Sequence, residues 1–140
     1  MSPHRSRAAA DQRGAGLSVA AVVLLPCLIL AGGLAVDGAQ QARARRQAHA
    51  VAADAARTGC DEASAAELVG RPDPGAARRA ALAAAGAAPA DGARMRARAA
   101  VDGGRLSVTV DATRATVILS AVGLDAVTGS ATVTCRLVAR

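Results

Sequence analysis

Residues 14–47 read GAGLSVAAVVLLPCLILAGGLAVDGAQQARARRQ, and the fold turns on what the uncharged apolar run from Ala15 to Val36 does before Asp37 and the arginines that follow. As a helix rising about 1.5 Å per residue, the run spans roughly 33 Å and matches a hydrocarbon core of about 30 Å. Secretory apolar regions are shorter, about 7–15 residues, and end at a small-x-small cleavage site. Here the run continues into Val36-Asp37-Gly38-Ala39, a poor site, so it reads as a retained span. Leu24-Leu25-Pro26-Cys27 departs from a lipid-attachment box because Pro26 precedes the cysteine, which leaves Cys27 as a lipid- or helix-facing residue. Pro26 removes one backbone hydrogen bond and is expected to kink the helix. Gly32 and Gly33 offer a close-approach surface for helix packing, against the plainer reading that membrane helices are simply richer in Gly and Pro.

The charges on the two sides of the run balance. Arg5, Arg7 and Arg13 precede it, and Arg43, Arg45 and Arg46 follow it. The preferred arrangement is a short basic tail, residues 1–14, inside the cell, with the larger C-terminal part outside. Beyond the span, the 140-residue chain has room for one small domain, and that domain has no Phe, Tyr or Trp to fill its core. Burial must come from Val, Leu, Ile, Met and Ala, which remove less area from water per residue. The net charge of +6 comes entirely from scattered arginines without aromatic neighbours, which argues against a nucleic-acid partner.

From Gly38 to Thr58 nothing breaks a helix, so the span is expected to continue outward over residues 37–59, with Gly59 as its C-cap. Its alanines give smooth sides, and Arg43, Arg45 and Arg46 form a solvated or headgroup-facing collar. Residues 60–92 read as a linker and a short helix, capped by Asp73, opened by Pro74 and closed by Gly86. From residue 93 the period becomes two. Met95, Ala97, Ala99 and Val101 alternate with arginines, Asp102-Gly103-Gly104 makes a hairpin turn, and Leu106, Val108 and Val110 share one face. Ala131, Val133, Cys135 and Leu137 repeat the scheme. The fold class is α+β: a long N-terminal transmembrane helix extended outward, a short second helix and a small antiparallel sheet. That sheet has three strands, or four if Thr116 to Val122 is extended and not a short helix.

Four pieces together carry a resemblance: Arg13-Gly14 before the run, Pro26 within it, Gly33-Leu34-Ala35-Val36-Asp37-Gly38 at its exit, and Ala53-Asp54-Ala55-Ala56 beyond. Over about residues 12 to 58 the chain resembles the TadE/TadG-like membrane proteins of Tad/Flp pili in actinobacteria. The tail Ile118-Leu119-Ser120-Ala121-Val122-Gly123-Leu124, followed by Val127-Thr128-Gly129-Ser130-Ala131-Thr132, is similar to the C-terminal part of small members. The resemblance singles out Asp37, Gly38 and Asp54 as family-like positions, and Gly14 and Gly16 as candidate sites of prepilin-type processing. Processing of that type is associated with a glutamate five residues into the mature chain. Counted from Gly14 that position is Val19, and from Gly16 it is Ala21. The pattern therefore fits an anchored accessory protein better than the bulk subunit of a fibre.

Nothing in the sequence couples His4 or His49 to a nucleophile or carboxylate, and no His/Cys cluster suggests a metal. The expectation is a noncatalytic protein with no cofactor and no small-molecule substrate, whose partners are the membrane and other Tad or pilus-assembly proteins. Cys60 and Cys135 could form a disulfide in an exported domain, or stay as two free buried thiols, with Cys27 unpaired either way. The rival readings are a small domain released by signal peptidase, or a membrane-anchored regulator unrelated to pili.

Overall fold

A computed structural model describes residues 8–137 of the chain. The start of the basic tail, with His4, Arg5 and Arg7, lies outside the described residues. Two helices and three strands follow in order: α1 (Ala8–Leu68), α2 (Pro74–Ala87), β1 (Arg94–Asp102), β2 (Arg105–Ala115) and β3 (Ala126–Arg136), with a 3-10 turn at Leu119–Val122 between the last two. The strands form an antiparallel meander in the order β1-β2-β3. Both helices lie on one face of this sheet, α1 over β2 and β3, and α2 between α1 and β1. The architecture is α+β, and residues 116–125 supply no fourth strand.

α1 is longer than its composition suggests. Gly59 does not end it; the helix runs on to Leu68, and Gly70, at φ 69°, takes the left-handed position that closes it. Backbone bonds from Gly70 N to Glu67 O at 2.9 Å and from Arg71 N to Ala66 O at 2.9 Å satisfy the last carbonyls. Gly59 is instead a contact point. A Cβ there would collide with Leu106 Cδ2 and lie 2.8 Å from the Ala77 carbonyl oxygen and 3.0 Å from Ala81 Cβ. The glycine lets α2 and the sheet close on α1, and this packing offsets its poor helix propensity. Residues 60–68 accordingly belong to the long helix and not to a linker. α2 starts as its sequence indicates, with the Asp73 carboxylate accepting from Gly75 N at 2.8 Å, and it passes through Gly86 to Ala87.

The core is a meeting of small residues. Ala44, Ala48, Ala52, Ala55 and Ala56 form a buried stripe on α1, and Ala77, Ala81 and Ala85 do so on α2. The facing residues of β2 are Leu106, Val108, Val110 and Ala112, all fully buried, and the first three are the largest fully buried side chains. β3 approaches even closer. A Cβ on Gly129 would run into the Arg45 backbone nitrogen and lie 2.6 Å from Ala44 C, so strand backbone rests directly on helix backbone. At the far end of the sheet, Gly103 and Gly104, at φ 53° and 71°, make the two-residue turn that joins β1 to β2.

Cys60, on α1, is bonded to Cys135, on β3, across a sequence separation of 75 residues. Cys27 is free and exposed within the apolar run. A crosslink closing so long a loop stabilises by about 2–4 kcal/mol, a large share for a core built of alanine. Replacing Cys60 by Ser should lower the melting temperature of the full chain in detergent by on the order of 10 °C. Non-reducing peptide mapping should find Cys60 linked to Cys135 in the parent protein. Gly129→Val should be as damaging, because β3 cannot move off Ala44 without losing register with Ala112; thermal melts of this variant with the disulfide intact check it.

Candidate functional site

The outward face of α1 from Gly16 to Val36 is bare: every residue is exposed except Gly33. This is the one helix among the described residues long and apolar enough to cross a membrane. Pro26 lies inside it without ending it. Gly16 and Gly32 have open space where a Cβ would stand, and so does Gly38. Gly33 differs. A Cβ there would lie 2.5 Å from Ile118 Cγ2 and 2.8 Å from Cγ1, so its surface is filled by the chain's own β2–β3 loop and is closed to another helix. Of the two glycines expected to offer a close-approach surface, Gly32 has open space beside it and Gly33 carries the Ile118 side chain.

One turn further on stands Asp37, buried at 3% exposure. Its carboxylate accepts three successive backbone amides, from Val117 at 2.9 Å (Oδ1), Ile118 at 3.1 Å and Leu119 at 2.8 Å (both Oδ2). Those amides are the unpaired donors at the start of the 3-10 turn, and a carboxylate is the natural acceptor for them. The Val117 bond above all, against the opposing effect of burial, holds the Asp37 carboxyl below the usual carboxylate range. Gly33 and Asp37, four residues apart, thus form a clasp: the glycine admits the Ile118 side chain and the aspartate binds the backbone around it.

A second tie lies further out. Gln47 donates through Nε2 to the carbonyls of Pro89 at 3.1 Å and Ala90 at 2.9 Å, and its Oε1 accepts from Arg114 Nη2 at 2.7 Å. Arg114 sits at an inward position of β2, level with Val127 of β3, and its Nε is buried without a partner. Neither Gln47 nor Arg114 stood out in the sequence; the available signal was the parity of β2, which turns Arg114 to the same face as Val110 and Ala112. Asp54, the other family-like acid, is exposed, as is His49. The outer face of the sheet is polar. Hydroxyls pair across β2 and β3 as Ser107 with Thr134 at 3.1 Å, Thr109 with Thr132 at 2.8 Å and Thr113 with Thr128 at 3.0 Å. Asp111 accepts from Ser130 and from Arg98 Nη2, the latter at 2.6 Å. This ladder stabilises the pairing of strands and gathers no nucleophile with a base.

Because hydrogen bonds to the ionised form lower the Asp37 pKa, the clasp is fully formed above the unfolded carboxyl value near pH 4 and is lost as pH falls through the lower folded value. Amide exchange at Val117, Ile118 and Leu119 should therefore show unchanged protection from pH 7 to 5 and a loss of protection only below about pH 4. Asp37→Ala should accelerate exchange at these three amides by about tenfold at neutral pH, while leaving those of Leu106 to Val110 largely unaffected.

Residues 14–67 match the family model described as "Putative Flp pilus-assembly TadE/G-like". The match covers the apolar run, the Gly33–Asp37 half of the clasp and nearly all of α1, and stops before α2 and the sheet. No curated protein and no solved structure matches the chain. Over residues 14–67, the long helix that carries the bare apolar face and organises the rest of the molecule is similar to the TadE/TadG-like Flp pilus-assembly family.

Proposed function

We propose that the chain is a noncatalytic, membrane-anchored component of a Tad/Flp-type pilus-assembly or secretion apparatus. The observation that carries this reading is that the family match falls on a single helix with two kinds of surface. One is bare and apolar from Gly16 to Val36; the other is packed into the C-terminal layer from Ala44 onward. In this reading residues 1–14 are a cytoplasmic tail, 15–36 cross the membrane once, 37–59 extend the helix outward, and residues 60–92 and 93–140 complete an extracytoplasmic domain. The bond between Cys60 and Cys135 supports that orientation, since such crosslinks persist in oxidising compartments.

The clasp supports retention of the anchor. Cleavage near Gly38 would remove Gly33 and Asp37, and with them the acceptor for three amides of the β2–β3 loop. Trimming after Gly14 or Gly16 would leave every one of these contacts in place. Gly33 and Asp37 are occupied within the chain, which favours a structural role over binding of a small substrate. The partners proposed are the membrane and other Tad or pilus-assembly proteins, engaged through the bare helix and the extracytoplasmic domain, without nucleic acid.

Carbonate-washed membranes should retain the chain at full length or shortened only near Gly14 or Gly16; a soluble product starting near Gly38 overturns the anchor. Crosslinking in intact membranes followed by purification of the full chain should recover identified Tad assembly proteins, and their absence removes the pilus assignment. With Val19 and Ala21 where a pilin would carry glutamate, purified surface filaments should contain the chain at trace level at most. Its appearance as their dominant protein would overturn the accessory role.

A further inference from the structure

Residues 115–124, ATVILSAVGL, carry no charge between Arg114 and Asp125 and lead from the last residue of β2 toward β3 at the end of the sheet nearest the apolar run. Their depth is set by the clasp. Ile118 packs on Gly33, three residues inside the end of the run, or about 5 Å below Val36 along the helix axis. Val117 and Leu124 are nonetheless 60% and 56% exposed, and Ala121 is exposed with them. The exposed arginines 43, 45 and 46 stand about two to three turns above Val36, where long basic side chains reach lipid headgroups.

Most amide donors of this loop and both of its hydroxyls are satisfied from within the chain. Asp37 takes the amides of Val117, Ile118 and Leu119. The amides of Ala121, Gly123 and Leu124 donate to the carbonyls of Ile118, Ser120 and Leu119 at 3.1, 3.1 and 3.0 Å. Both hydroxyls donate as well, Thr116 to the Leu124 carbonyl and Ser120 to the Val117 carbonyl. A loop facing water can leave such groups to the solvent; closing them internally lowers the cost of placing the loop at the edge of the hydrocarbon layer.

We propose that the β2–β3 loop is a second membrane contact, seating Val117 and Leu124 in the lipid interface beside the exit of α1. This rests on the membrane-anchored reading above. The occupant is lipid and not a second protein because the exposed side chains are continuous with the bare face of the helix and lie at its depth. The loop would fix the tilt of the extracytoplasmic domain on the membrane, since a single helix alone leaves that domain free to swing.

The protein has no aromatic residue, so one introduced tryptophan is its sole intrinsic fluorophore. Full-length Val117→Trp, Leu124→Trp, Leu25→Trp and Asp102→Trp variants would be reconstituted in phosphatidylcholine/phosphatidylglycerol vesicles, with or without acyl chains brominated near the headgroup. Intact Cys60–Cys135 pairing verifies the fold of each. The expected result is blue-shifted emission for the tryptophans at 117 and 124, losing most of its intensity to the brominated lipid, and unshifted, unquenched emission for the hairpin variant at 102. If the tryptophan at 25 emits from the bilayer core but those at 117 and 124 remain water-exposed, the loop contact is wrong and the anchor stands. Blue-shifted emission at 117 and 124 without quenching by brominated lipid would mean that protein covers the loop, and would overturn the lipid assignment. If the tryptophan at 25 is also water-exposed, the anchor itself fails, and the loop contact with it.

Discussion

The structure depends on close approach of backbone to backbone. With no aromatic side chain and a core dominated by alanine, each buried residue removes little area from water, so helices and strands must come nearer than larger residues would allow. Gly129 lies against the backbone of Ala44 and Arg45, and Gly59 lies against the Ala77 carbonyl and Leu106. Dispersion between such closely packed atoms compensates in part for the small area buried. The same geometry makes the core intolerant of growth at these two points. A covalent link between α1 and β3 adds what a small core of this kind does not supply.

One continuous helix serves two surroundings, and the change between them occurs over a single turn. From Gly16 to Val36 it is apolar and, Gly33 apart, exposed; at Asp37 it begins to organise the rest of the chain. An acid at this point is well suited because it lies just past the apolar run and has three amides to bind. The family-like stretch from Gly33 to Gly38 thereby acquires a physical meaning. It is a docking point for a loop 80 or more residues later in the chain.

The helix, the strands and the change of period at Arg94 were legible in the sequence because each follows from local pattern: length and apolarity for the span, alternation for β1 to β3, the Asp73-Pro74 start of α2, and Gly103-Gly104 for the hairpin. The end of α1 was not legible. Gly59 resembles a stop signal by local propensity, and only the presence of Leu106 and α2 against it shows that a missing side chain is needed there. The segment after Ala115 was equally ambiguous, since a short apolar run reads as strand or helix until its amides find their acceptor.

By itself the sequence determined the apolar span, the α+β class, the inward faces of the strands and the family resemblance of the long helix, all of which rest on spacing along the chain. Only the tertiary structure decided that Gly33 receives Ile118, that Asp37 caps the turn after β2, that Gln47 meets Arg114, and that Gly129 touches Ala44. Those are pairings between residues 67 to 85 positions apart. No local pattern encodes them, because each partner is unremarkable alone, and the contact exists only once antiparallel pairing and the helix rise have brought both to the same height above the apolar run.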